Sequence, residues 1–170
     1  GAEFSEAAGP FYYTANDIRE VVDYAAARHV TVVPEVEFPG HFRAAIRAYP
    51  ELGCPGGGKV MCLGNPEAVK FAEAVLDRVC ELFPSQTIHF GGDECKRKYW
   101  AKCPKCQAFI KEKGLTGEDE LQQWFTRHIV DYLASKGRRA IGWDEIFIGS
   151  DALPKTTMGM CWRPQGAGAK

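Results

Sequence analysis

Four short stretches rich in β-branched or aromatic residues, Val30–Val33, Thr87–Phe90, Arg139–Trp143 and Thr157–Trp162, alternate along the chain with longer stretches whose apolar residues recur at helical spacing. Connections long enough to hold a helix let consecutive strands run parallel, whereas antiparallel neighbours need only a tight turn. The predicted fold class is therefore α/β, parallel strands with outer helices. Each strand runs into polar or aromatic residues: Pro34-Glu35-Val36-Glu37-Phe38-Pro39-Gly40-His41, Gly91-Gly92-Asp93-Glu94, Trp143-Asp144-Glu145 and Trp162-Arg163. In a parallel sheet these ends share one face, where chemistry collects. No glycine-rich phosphate loop of the dinucleotide or Walker kind is present, which disfavours a nucleotide-binding sheet. A (β/α)8 TIM barrel is the natural host. Such a barrel takes about 250 residues, so 170 residues are expected to form a partial one, a single domain over 1–170 with about four βα units.

The helices are marked by their ends. Thr14 as N-cap, Asp17 in the first turn and Ile18, Val21, Val22 and Ala25 on one face predict a helix to about Arg28. A short helix is predicted over His41–Ala48. Asn65 and Pro66 open a helix reaching Phe83, with Val69, Val75, Leu76 and Val79 facing inward. A basic, cysteine-bearing stretch from Cys95 to Cys106 leads into a helix ending near Lys113. Glu118 to Lys136 forms another helix through Leu121, Trp124, Phe125, Ile129 and Leu133, ended by Gly137. A further helix would begin near Gly166–Lys170.

The stretch Thr87-Ile88-His89-Phe90-Gly91-Gly92-Asp93-Glu94 carries the strongest functional signal. Side chains on a continuing strand point to opposite faces, so Asp93 and Glu94 can share a site only if the strand ends and the chain turns. The two glycines permit that turn. A net charge of −1 and a charged share of 25% do not suggest a nucleic acid or an anionic membrane as partner. No apolar run is long enough to span a bilayer. The N-terminal Gly-Ala-Glu-Phe-Ser-Glu has neither the basic region nor the apolar core of a signal peptide; the protein is expected to be cytosolic or to have lost such a segment.

His89-Phe90-Gly91-Gly92-Asp93-Glu94 resembles the His-x-Gly-Gly-Asp-Glu signature of family 20 glycoside hydrolases, the β-N-acetylhexosaminidases. Pro34–His41 resembles the motif that family carries one barrel strand earlier. Gly142-Trp143-Asp144-Glu145-Ile146 and Met160-Cys161-Trp162-Arg163 resemble its next two. Four motifs in the family's order are far more specific than one. They cover the third to sixth strands of the family's barrel.

The resemblance implies a retaining, substrate-assisted hydrolysis of terminal β-linked N-acetylglucosamine or N-acetylgalactosamine, in which the substrate's 2-acetamido oxygen is the nucleophile. By position, Glu94 is implied to be the general acid and later the base. Asp93 is implied to orient the acetamido N–H and to stabilise the oxazolinium intermediate. Trp143 and Trp162 are implied to wall the acetamido pocket, His41 to support the acid, and His89 to be structural. The family commonly has Asp where Glu37 stands. Its sugar-binding arginine comes from the first strand, and a tyrosine, a further tryptophan and an acid come from the last strands, all outside the four units present. An isolated half barrel would expose two sheet edges, which invites pairing of two copies, or the chain is a piece of a longer enzyme. The family similarity also implies an extracytoplasmic location and glycans as partners.

No cofactor and no catalytic metal are expected. The competing readings are a metal-dependent hydrolase using Glu35, Glu37, His41, His89, Asp93 and Glu94, and a carbohydrate-binding relic. The first lacks paired histidines at ligand spacing; in the second, an intact Asp93-Glu94 pair argues against decay. Of the seven cysteines, Cys95, Cys103 and Cys106 include a Cys-Pro-Lys-Cys run resembling half a zinc site or a redox motif. Zinc would need a fourth ligand, for which Cys54, Cys62 or a histidine is conceivable but not indicated. Cys54 with Cys62 is the easiest disulfide. The expectation is packing cysteines, reduced or locally bridged.

Overall fold

Thr14 closes the first helix with a capping box: its side chain accepts the Asp17 N–H while the Asp17 carboxylate accepts the Thr14 N–H at 2.7 Å. This computed structural model describes residues 12–56, 58–148 and 153–163; the helix anticipated near Gly166–Lys170 lies outside them. The elements in order are α1 (Ala15–Ala26), β1 (Glu35–Phe38), α2 (Arg43–Ala48), α3 (Pro66–Leu82), β2 (Thr87–Gly91), α4 (Lys98–Ala101), α5 (Pro104–Lys113), α6 (Glu118–Ser135), β3 (Arg139–Trp143) and β4 (Met158–Met160). Short 3-10 turns occupy Pro50–Leu52 and Asp144–Phe147.

All strand pairs are parallel, and the sheet order is β1-β2-β3-β4. An order that follows the sequence without reversal has no topological switch point, so the sheet is wound in one sense, as in a closed barrel rather than an open doubly wound sheet. The register places Glu35 beside His89, Phe38 beside Gly91, and Trp143 beside Met160. Strand ends from distant parts of the chain therefore meet on one face.

The core lies between the sheet and the long helices. Asn65 caps α3 by accepting the Glu67 N–H at 3.2 Å, and its Nδ2 donates to Glu51 O at 2.8 Å. α3 buries Ala68, Val69, Ala72, Leu76 and Val79; α6 buries Leu121, Phe125, Ile129, Val130 and Leu133. These join Ile88 and Phe90 of β2 and Ala140 of β3 in one cluster. Each fully buried large side chain there stabilises the fold by about 1.5–3 kcal/mol. Gly137, at φ 70°, ends α6.

Two expectations are corrected. Val30–Val33 is not a strand: pairing with β2 begins at Pro34, whose carbonyl accepts the His89 N–H at 3.0 Å, and Val30 and Val33 stay exposed. A β-branched run becomes a strand only where a neighbour offers partners. Consequently Glu35 and Glu37 belong to the strand itself and, two residues apart, face the same side. The second correction concerns α1, which has no buried residue; Ile18, Val22 and Ala25 are half-buried, whereas Val21 is exposed. Trp124 of α6 is half-buried, packed against the core, with its ring edge-on to Phe109 and the centroids 4.6 Å apart.

Candidate active site

From the last residue of β2 onward the backbone enters the left-handed region repeatedly, at Gly91 (φ 76°), Gly92 (φ 100°) and Glu94 (φ 47°). Such a conformation at Glu94 is strained and persists only where the surroundings impose it. Gln122 of α6 supplies one restraint, its Nε2 donating to Gly92 O at 2.9 Å. Packing of the β1 turn supplies another: a Cβ on Gly40 would lie 2.7 Å from Asp93 O. The turn thus brings Asp93 and Glu94 to one side, as the two adjacent carboxylates require.

His41, itself at φ 47°, sits between them. Its Nε2 is 3.3 Å from Asp93 Oδ2 and 3.4 Å from Glu94 Oε2. Asp93 is mostly buried and Glu94 is more than half exposed. Two indoles complete the surroundings. Trp143, at the end of β3, donates from Nε1 to Glu35 Oε1 at 3.1 Å, and Trp162, beyond β4, donates to Glu145 Oε2 at 3.0 Å. Arg163 is paired with the buried Asp144. Glu35, Glu37, His41, Asp93, Glu94, Trp143 and Trp162 line one open cavity of about 580 Å³. All five residues singled out in the sequence thus border the same space.

Glu35 and Glu37 are the cavity residues to which sequence reasoning gave no role in the sugar site, both appearing as conceivable metal ligands and Glu37 also as a departure from the family's usual Asp. The signal was their two-residue spacing in Glu35-Val36-Glu37-Phe38, legible once this segment is known to be a strand. Burial, reinforced by the negative charge of Asp93 and by hydrogen bonding with Glu35 and Asp93, pushes the Glu37 carboxyl up to about 8. It therefore keeps its proton at neutral pH and can donate it to either neighbour. His89 is buried edge-on to Trp143, ring centroids 4.9 Å apart. Burial holds its imidazole below the usual histidine range, against the opposing pull of Glu35 and Asp93. Its neutral Nδ1 accepts the Gly91 N–H at 3.1 Å, which ties the ring to the turn. His41, Asp93 and Glu94 also present ligand atoms within 4.8 Å of one another; a cation or a shared proton would suit that spacing.

The fold and cavity define a partial (β/α)8 barrel of about four units, with carboxyl and indole groups gathered at the carboxyl ends of its strands. The chain belongs to glycosyl hydrolase family 20, whose catalytic-domain model matches residues 2–170. A β-hexosaminidase of Porphyromonas gingivalis is 40% identical over 168 residues, covering 92% of this chain and 21% of that protein. The solved β-N-acetylhexosaminidase of Bacteroides fragilis superimposes with a TM-score of 0.84 at 39% identity, over 93% of this chain and 34% of that one. The exo-β-N-acetylglucosaminidase of Vibrio harveyi, solved in complex with N-acetylglucosamine, gives 0.83 at 34% identity, over 89% of this chain and 26% of that one. The chain spans between a fifth and about a third of the length of these relatives.

Proposed function

We propose that residues 1–170 form one domain, the central part of the catalytic barrel of a retaining, substrate-assisted β-N-acetylhexosaminidase acting on terminal β-linked N-acetylglucosamine or N-acetylgalactosamine. The observation that carries this reading is His41 held between Asp93 and Glu94 at the edge of a cavity walled by Trp143 and Trp162. In the proposed reaction Glu94 protonates the leaving glycosidic oxygen while the acetamido oxygen of the substrate attacks the anomeric carbon. A nucleophile tethered in this way reaches an effective molarity on the order of 10⁵ M or more, so no protein nucleophile is needed. Asp93 accepts the acetamido N–H and faces the positive charge of the oxazolinium. Glu94, now a carboxylate, takes a proton from the water that opens the ring.

The indole faces of Trp143 and Trp162 suit an acetyl methyl and the C–H face of a sugar. His41 positions both acids. Glu37, protonated, gives Asp93 a hydrogen-bond donor on its protein side without adding a charge. The proposed partners are N-acetylhexosamine-containing glycans and the proposed location is extracytoplasmic, both supported by the family membership. Among the described residues no helix is long and apolar enough to cross a membrane. In the described sheet β1 and β4 are edges, and pairing of two copies through them is part of the proposal.

The test is release of nitrophenol from 4-nitrophenyl N-acetyl-β-D-glucosaminide, by this chain over a range of concentrations and by a longer polypeptide carrying the whole barrel. Turnover by the longer polypeptide that disappears in Glu94→Gln supports the reading. Unaffected turnover in that variant would overturn it. A faster than linear rise with concentration for the 170-residue chain would show that association completes the site.

A further inference from the structure

Away from the cavity, four thiols from two separate loops converge. Cys54, Cys62, Cys103 and Cys106 are all buried, and their sulfurs lie within 4.8 Å of one another. Cys54 and Cys106 are 3.7 Å apart, Cys62 and Cys103 3.7 Å, and Cys62 and Cys106 3.8 Å. A disulfide would need sulfurs about 2.05 Å apart. Four thiolates on a tetrahedral zinc ion, with Zn–S bonds of about 2.3 Å, stand about 3.8 Å from each other along every edge. These three separations match edges of the tetrahedron and not the covalent bond, and the remaining three stay within 4.8 Å.

The backbone around the cluster fits the same ligation. Cys103-Pro104-Lys105-Cys106 is a two-ligand turn at the start of α5, and Cys54 and Cys62 follow the two strands of an antiparallel bridge between Gly53 and Met61. A Cβ on Gly64 would collide with the backbone of Lys105 and Cys106, so only glycine lets the two loops approach this closely. Cys95, adjacent in sequence to Glu94, stands apart from the group, and burial pushes its thiol up to about 12.

We propose that Cys54, Cys62, Cys103 and Cys106 form a structural zinc site of the four-thiolate class. All four positions of the tetrahedron are taken by protein sulfur, so the ion has no place for water or substrate and acts as a brace. What it braces is the pair of loops that carry the acids and His41. Met61 N donates to Pro39 O at 2.9 Å and Phe42 N to Lys59 O at 3.0 Å, which ties the Cys54–Cys62 loop to the His41 turn. Trp100 Nε1 donates to Met61 O at 2.9 Å, linking that loop to α4, which follows Glu94. The inference is independent of the glycosidase reading.

The experiment is metal analysis and zinc-edge X-ray absorption on the full chain, purified anaerobically without chelator, with intact-mass measurement on the same sample. The expected result is one zinc per chain surrounded by four sulfurs at about 2.3 Å. Zinc is retained in Cys161→Ser and lost in Cys103→Ser/Cys106→Ser, with a lower melting temperature. Metal-free protein would overturn the proposal, whether its thiols are reduced or its mass shows them joined as disulfides. Zinc bound through nitrogen and oxygen would also overturn it and would point to His41, Asp93 and Glu94. Because the first readouts use the unsubstituted chain, a double variant that fails to fold does not rescue the proposal.

Discussion

The carboxyl group of Glu37 occupies the space that a side chain on Gly91 would need. Gly91 is also at φ 76°, where an L side chain is strained. Gly91→Ala is expected to cost roughly 1–3 kcal/mol of stability, from strain and overpacking together. Urea unfolding of the two proteins checks this. An alanine variant as stable as the parent would mean that Glu37 is free to leave its place over the turn.

The proton on Glu37 gives stability a pH dependence. With the folded-state value near 8 and the ordinary value 4.5, the folded chain holds a proton that the unfolded chain has released. Stability contributed by the protonated form is therefore fully present below about pH 4.5 and is lost progressively as pH rises towards 8. Glu37→Gln, which keeps a neutral group of the same shape, is expected to flatten that decline. Thermal melts between pH 4.5 and 8 in matched ionic strength provide the measurement, and identical slopes would contradict the assignment.

Substitutions in the cavity are expected to separate chemistry from binding when placed in an active, longer polypeptide. Glu94→Gln removes acid–base assistance and should lower kcat by about 10²–10⁴ with little change in KM. Trp162→Ala removes an indole wall but no proton-transfer group, and should raise KM by roughly tenfold for about 1.4 kcal/mol of lost contact. Steady-state kinetics on the chromogenic substrate reads both.

Burial predicts where the fold is sensitive. Leu76 is 0% exposed in the core, so Leu76→Ala should destabilise by about 2–5 kcal/mol. Val21, 51% exposed on α1, should tolerate alanine within about 0.5 kcal/mol. Denaturant midpoints distinguish the two.

Sheet edges lead to a hydrodynamic prediction. With β1 and β4 as the edges of the described sheet, the 170-residue chain is expected to associate at micromolar concentrations. Light scattering across a dilution series tests this, and a monomer at every concentration would rule out the edge pairing.

Much of the local structure was legible because its causes are local. Thr14 with Asp17, Asn65 with Pro66, and Gly137 each marked a helix end within a residue or two of its observed position. β3 lies at Arg139–Trp143 as its composition indicated. The first strand was misplaced because Val30–Val33 has the right residues but no partner, whereas Glu35–Phe38 pairs with β2 despite its two acids.

The sequence by itself determined the alternation of helix and strand, the glycine turn that puts Asp93 beside Glu94 in a usable way, and the motifs that mark the family. These depend on capping, periodicity and backbone freedom over a few residues. The tertiary structure alone decided which distant side chains meet. Trp143 reaches Glu35 across 108 positions and Cys54 reaches Cys106 across 52. It also decided that Glu37 keeps a proton. Contacts, burial and charge at such separations follow from how the sheet is ordered and how its loops pack, and no local pattern in the chain encodes them.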